Sequence, residues 1–179
     1  MAAVTESLIA DCAVIMIDAG STMTHVCERL VQKVPRAGGT ALTVVTNSLK
    51  NAMVLAENPA IHILVCPGAY DAGEMAAHGA LTLEFVERFH ADVLVTSAGG
   101  IGPGGAMDAN EGAAAVKRAM LKQVPRSVFA IESLKFDHTQ FERVCPLSAI
   151  TDLVTDAPLP EELAGALSRS GTRAHIAAA

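Results

Sequence analysis

Several short segments gather side chains able to hold a small anionic or polyhydroxylated molecule, and each follows an apolar run. The first is Asp18-Ala19-Gly20-Ser21-Thr22. Gly20 permits a tight turn, and Ser21 and Thr22 then offer hydroxyls and amides at the start of a helix. Unsatisfied N–H groups and the positive end of the helix dipole suit phosphate there. Ordinary capping by Ser21 or Thr22 accounts for the same residues equally well. Thr46-Asn47-Ser48 repeats the arrangement after a second apolar run, although a cap explains one of its three side chains. Ser97-Ala98 leads into Gly99-Gly100-Ile101-Gly102-Pro103-Gly104-Gly105, where missing side chains let backbone approach a ligand. Beyond it stand Asp108, Asn110 and Glu111, then Lys117 and Arg118, read either as pocket groups or as a cap, a first-turn acid and solvated cations. Lys135 follows a further apolar run and is a point charge for phosphate or a surface lysine.

Other chemistries lack their patterns. The six histidines and four cysteines (Cys12, Cys27, Cys66 and Cys145) show no metal-ligand spacing. A Gly-x-Ser-x-Gly elbow is absent, no Gly-x-Gly-x-x-Gly follows the first strand, and the glycine stretch lacks a phosphate-loop Lys-Ser/Thr ending. No catalytic residue, metal or cofactor is expected, and a phosphorylated small metabolite is the simplest ligand.

These residues sit at joints of an alternating pattern. Apolar runs at Ala13–Ile17, Ala41–Val45, Ile61–Val65, Val93–Thr96, Ser127–Ile131 and Asp152–Thr155 predict strands, with Thr172–Ile176 a final one. Helices are predicted over Thr22–Val34, Ser48–Glu57, Ala80–Phe89 and Glu111–Gln123, from apolar residues recurring every three or four positions. A last helix opens at Pro160 and closes at Gly171. Pro67-Gly68-Ala69-Tyr70 and Gly99–Gly105 are predicted to be loops. Continuous apolar strands separated by helices predict an α/β fold with a mostly parallel sheet covered by helices on both faces. Ligands of such sheets bind beyond the strands' carboxyl ends, where the polar segments fall.

Composition bounds the rest. The 179 residues fit one domain, 51% hydrophobic but only 3% aromatic, so Ala, Val, Leu, Ile and Met must fill the core. The formal charge is −6 and the sequence pI ≈ 5.4, so this polypeptide lacks the field that drives non-specific nucleic-acid binding. No apolar run approaches the ~20 residues of a membrane span. The first residues lack the basic n-region and long apolar core of a secretory signal, and a cytoplasmic protein with reduced, buried cysteines is expected. The alanine-rich tail is the single low-complexity stretch.

The same segments, in the same order, resemble the effector-binding domain of DeoR-type bacterial transcription repressors. The resemblance runs from Asp18–Thr22 and Leu42–Ser48 through Gly99–Asp108, Val116–Met120 and Lys135-Phe136 to Pro146-Leu147-Ser148 and Thr155-Asp156. It implies a fold similar to ribose-5-phosphate isomerase and coenzyme A transferases, and a sugar-phosphate sensor without catalysis. By that resemblance Asp18, Gly20, Ser21 and Thr22 form one ligand loop and Thr46 and Asn47 a second. Gly99, Gly100, Asp108, Lys117 and Lys135 complete the pocket. Phosphate would lie against Ser21, Thr22 and Lys135, with sugar hydroxyls facing Asp18, Asn47 and Asp108. Asp71 stands near where the family usually carries an arginine, and Leu134 replaces a serine beside Lys135.

Such repressors carry a winged helix-turn-helix before this domain. The residues before Ala13 allow one short helix at most, within Thr5–Asp11, so residues 1–179 are expected to be the sensor domain alone. DNA contact would then belong to the absent domain, and self-association is expected because operator recognition commonly uses dimers. Two other readings are a sugar-phosphate isomerase-like enzyme using Asp18, Asp108, Glu111 or Glu132, and an oligomerising domain with a degenerate pocket.

Overall fold

Continuous apolar runs become the inner strands of a sheet, buried on both faces, and amphipathic stretches become the helices that cover them. The computed structural model describes residues 1–36 and 41–177; the end of the alanine-rich tail lies outside the described residues. The first half runs α1 (Ala2–Leu8), β1 (Val14–Ile17), α2 (Ser21–Lys33), β2 (Leu42–Thr46), α3 (Leu49–Leu55), β3 (Ile61–Val65), β4 (Ala69–Asp71), β5 (Ala76–His78) and α4 (Ala80–Val86). The second half runs β6 (Val93–Thr96), β7 (Gly100–Gly102), β8 (Gly105–Asp108), α5 (Glu111–Leu121), β9 (Ser127–Ala130), β10 (Glu142–Cys145), β11 (Asp152–Thr155), α6 (Glu161–Ser170) and β12 (Arg173–Ile176). Single 3-10 turns cover Ser133–Lys135 and Leu147–Ala149.

Seven strands form one parallel sheet in the order β12-β11-β9-β6-β1-β2-β3. Successive side chains of a strand face opposite sides, and the two sides have different occupants. Ile15, Ile17, Val44, Val93 and Val95 pack with Met23, Val26 and Leu30 of α2 and Leu55 of α3. Met16, Val45 and Leu94 pack instead with Val86 of α4 and Val116 and Met120 of α5. Farther along the sheet, Phe129 and Leu153 meet Leu163 and Leu167 of α6. The core is aliphatic as the composition requires, with Phe129 the one fully buried large aromatic among the described residues.

Two predicted loops are hairpins. Gly99–Gly105 supplies β7 and most of the turn into β8, in a small antiparallel sheet ordered β10-β8-β7. Two of its glycines, Gly100 and Gly105, serve close approach to neighbouring backbone rather than looseness. A Cβ on Gly100 would collide with the His138 carbonyl, and one on Gly105 with the Cys145 carbonyl. Likewise Ala69 and Tyr70 belong to β4, which pairs antiparallel with β5. The small strand β10 has no counterpart in the predicted pattern; Glu142-Arg143-Val144-Cys145 is a short run without a continuous apolar signal. The N-terminal helix lies at Ala2–Leu8, a few residues ahead of the predicted segment.

Candidate functional site

β1 delivers Asp18 to the carboxyl end of the sheet with its backbone N–H held by the Val95 carbonyl, 3.2 Å away. The side chain is 1% exposed. Its Oδ2 accepts from Thr96 Oγ1 at 2.9 Å and meets Lys117 Nζ at 2.9 Å. Lys117 projects from α5, and its second ion pair, to Asp108 Oδ2 at the end of β8, is also 2.9 Å. One ammonium therefore ties β1, α5 and the small sheet together. Burial by itself would lower the Lys117 pKa, but the Asp18 and then the Asp108 carboxylates, with their hydrogen bonds, reverse this and hold it well above the ordinary lysine range. Lys117 is therefore a buried, charge-paired cation rather than the solvated lysine its helical position allows. Asn110, rather than Asp108, caps α5, its side chain accepting from Ala113 N.

Around this ion triad lies a cavity of ≈ 190 Å³ lined by Ala19, Gly20, Glu74, Ser97, Ala98, Gly99, Asp108, Lys117 and Lys135. Gly20 is the N-cap of α2 at φ +117°, a conformation that favours glycine. It supplies no capping side chain, so the capping role considered for Ser21 and Thr22 is filled by neither, and the first-turn amides open beside the cavity. Ser21 is exposed next to this turn, whereas Thr22 is buried and donates to Glu132 Oε1 at 3.5 Å. Lys135 reaches the cavity from its 3-10 turn and makes no salt bridge among the described residues.

The remaining predicted residues lie elsewhere. Asn47 is fully buried; its Nδ2 donates to the Ala77 carbonyl at 3.3 Å, and its main-chain carbonyl accepts from Ala77 N at 2.8 Å. Thr46 Oγ1 accepts from Ser48 N at 3.1 Å, and Ser48 caps α3. These side chains fasten the β4–β5 hairpin and α3 to the sheet and do not line the cavity. Asp18 also stays behind the lining and acts on it through Lys117. Gly99 lines the cavity; Gly100, one residue on, accommodates this chain's own His138 backbone.

Asp71 does not place its charge in the cavity. Its Oδ1 accepts from Glu74 N and Gly73 N, which lower its pKa, and Oδ2 accepts from Asn110 Nδ2 at 3.3 Å. The hairpin's acidic contribution to the lining is instead Glu74. That residue carries no sequence signal, because the pairing that aims it is invisible in a segment that reads as a loop. Ser97 does carry one, as a hydroxyl at the end of an apolar strand. It lines the cavity, is 9% exposed, and its Oγ has no partner among the described residues.

Among the described residues no cluster of His, Cys, Asp and Glu could hold a metal ion. Burial pushes the thiols of Cys27 and Cys66 up to about 12 and that of Cys145 to about 11, so none is a nucleophile at neutral pH. No helix among the described residues is long and apolar enough to cross a membrane.

Residues 1–157 match the family described as the DeoR C terminal sensor domain. The chain is 33% identical over 152 residues to an L-fucose operon activator of Haemophilus influenzae, covering 84% of this chain and 58% of that protein. It is 30% identical over 165 residues to the HTH-type transcriptional repressor CsqR of Escherichia coli, covering 90% of this chain and 60% of that one. It thus spans roughly three-fifths of these curated relatives, one a named activator and the other a named repressor. Its fold is similar to ribose 5-phosphate isomerase A from Neisseria gonorrhoeae, with TM-score 0.53, 17% identity, and coverage of 75% of this chain and 50% of that one. It is also similar to a translation initiation factor eIF-2B from Pyrococcus horikoshii, with TM-score 0.52, 15% identity, and coverage of 85% and 59%.

Proposed function

The chain belongs to the DeoR C-terminal sensor domain family, and from that premise we propose that the cavity over Lys117 binds a phosphorylated sugar or related metabolite to control a DNA-binding domain outside these residues. The observation that carries this reading is the placement of an ion-locked floor, Asp18–Lys117–Asp108, beside the uncapped amino end of α2 at Gly20. The phosphate lies against the α2 amides, the Ser21 hydroxyl and the Lys135 ammonium. Helix amides and one unpaired lysine supply attraction locally, against an overall charge of −6. The ligand's hydroxyls face Ser97 Oγ and the Asp108 carboxylate, which Lys117 holds in one orientation.

A sensor rather than an isomerase fits the state of the carboxylates. General-base catalysis needs a carboxylate that can take a proton in contact with substrate. Asp18 is buried behind the lining, and both it and Asp108 are committed to the Lys117 ammonium. The named relatives are transcription regulators of both signs, so occupancy of the cavity can release or promote DNA binding, and repression is one of the two outcomes.

Calorimetry and thermal shift against a panel of sugar phosphates, with their unphosphorylated sugars as controls, test the reading. One or more phosphorylated sugars should bind, Lys135→Ala should weaken that binding roughly tenfold, and Ser97→Ala should weaken it by about three- to tenfold. Both variants should melt like the parent chain. Equal affinity for the sugar and its phosphate, or binding untouched by both substitutions, sinks the proposal. Ribose 5-phosphate turnover abolished by Asp108→Asn would establish the isomerase instead.

A further inference from the structure

The cavity wall carries two opposite charges that the described residues leave unneutralised. Lys135 enters from the 3-10 turn Ser133–Lys135 and Glu74 from the turn between β4 and β5, and both line the same ≈ 190 Å³ space. Neither makes a salt bridge among the described residues, so the ammonium and the carboxylate stand beyond ion-pair distance of each other. The turn that bears Glu74 is pinned. Asp71 Oδ1 accepts from Gly73 N at 2.8 Å and Glu74 N at 3.1 Å, and its Oδ2 accepts from Asn110 Nδ2 at 3.3 Å. Asn110 in turn caps α5, the helix that carries Lys117. The same cavity is lined by Ser97, 9% exposed, whose Oγ has no partner among the described residues. A buried hydroxyl of this kind calls for a polar group from a ligand.

The balance of charge says what that ligand carries. Lys117 can neutralise only one of Asp18 and Asp108, and Lys135 and Glu74 offset each other, so the site is net negative before anything binds. Glu132, which accepts from Thr22 at 3.5 Å, adds acid on the α2 side. A phosphate monoester brings roughly two further negative charges at neutral pH. With a neutral sugar ring, Glu74 would face that phosphate as an uncompensated like charge, in a chain already at −6. A ring bearing an ammonium group meets Glu74 and offsets the excess, while its phosphate keeps Lys135 and the α2 amides. We propose that the cavity takes an amino sugar phosphate, and that Glu74 is the residue that selects the free amine. This inference rests on the sugar-phosphate reading of the cavity and narrows it.

Calorimetry on the 179-residue chain with matched esters reads the outcome. The probes are glucosamine 6-phosphate, glucose 6-phosphate and N-acetylglucosamine 6-phosphate, with the corresponding galactose series. In at least one series the free-amine ester should bind roughly tenfold tighter than both the hydroxyl and the acetylated ester, the worth of one charge-assisted hydrogen bond. Glu74→Gln should weaken the amine ester about fivefold or more and tighten the hydroxyl ester by about two- to threefold. One substitution removes a partner from the first ligand and a repelling charge from the second. Shifts of opposite sign cannot come from a loss of stability. Glu74 is exposed, and thermal unfolding should show the variant melting with the parent.

Amine and hydroxyl esters of equal affinity, or a hydroxyl ester that binds more tightly, overturn the amine assignment and leave the sugar-phosphate reading standing. So does a neutral sugar phosphate from the wider panel that binds while every amine ester is silent. An amine preference that survives Glu74→Gln overturns the role of Glu74. Silence from every phosphorylated sugar defeats the sugar-phosphate reading itself, and this inference falls with it.

Discussion

Replacing Lys117 by methionine removes the one cation that two carboxylates share while keeping a side chain of similar length. In the parent structure the ammonium lies 2.9 Å from both Asp18 Oδ2 and Asp108 Oδ2, and the Lys117 residue is 6% exposed. Asp108 retains some solvent contact, but Asp18 is 1% exposed and, among the described residues, keeps only its hydrogen bond from Thr96 as compensation for its charge. Breaking one side of a buried ion pair costs about 3–5 kcal/mol. At roughly 2–4 °C per kcal/mol for a chain of this size, the variant should melt about 10 °C lower. Adding Asp18→Asn to the methionine variant removes the stranded charge while preserving shape, and should recover about half of the loss. The pH dependence follows from the raised Lys117 pKa. The stabilisation is complete below the ordinary lysine value of 10.5 and is lost only as pH climbs through the higher folded value. The gap between parent and variant should therefore be constant from neutrality to about pH 10 and narrow above it. Thermal and urea unfolding across pH measure all three quantities. A loss below about 1 kcal/mol, or a double variant less stable than the single, would refute the account of Lys117 as a structural counter-ion.

Glycine positions in the small sheet separate close packing from turn freedom. Gly100→Ala should cost about 2 kcal/mol or more because its Cβ meets the His138 carbonyl, whereas Gly104→Ala, with open space around it, should change the melting temperature little. Ser48→Ala should cost about 1 kcal/mol by removing the α3 cap, read by urea unfolding. At the opposite end of the sheet, Asp152 is fully buried against Arg126, Arg173 and His175. Burial pushes its pKa up, but the hydrogen bonds from those three side chains outweigh it and hold the pKa below the usual carboxylate range. Its contribution is present above the ordinary Asp value and lost as pH falls through the lowered one. Asp152→Asn should therefore destabilise by about 3 kcal/mol at pH 7, with the difference shrinking below about pH 4 in acid titrations of stability.

The central strands were legible because burial on both faces demands unbroken apolar runs, as in Val93–Thr96. The edge strand Ile61–Val65, with His62 and Val65 exposed, still kept enough apolar residues to be read, and the bounds of both match the expectation residue for residue. Helix ends were less so. The Ala80–Phe89 pattern stops being helical at Val86, since Phe89 packs on the same cluster from a turn rather than a further helical repeat. Both hairpins escape the sequence pattern because short antiparallel pairs of Gly, Ala and Tyr have no alternating apolar face and are held by pairing and close approach. The same blind spot hides Glu74 and conceals Asp71's local turn.

The sequence alone determined the alternating architecture, the end of the sheet at which polar residues collect, the family resemblance, and the candidate set that included Gly20, Asp108, Lys117 and Lys135. Composition also determined that any anion must be held by local donors against an acidic whole. Tertiary structure decided how those residues divide their tasks. It placed Lys117 between two carboxylates distant in sequence, turned Asn47 and Thr46 into fasteners of the β4–β5 hairpin, and left Ser97 facing the cavity. A residue's type and strand-end position limit the bonds it can make. Only the packing of β1, α5 and β8 against one another determines which of those bonds is made.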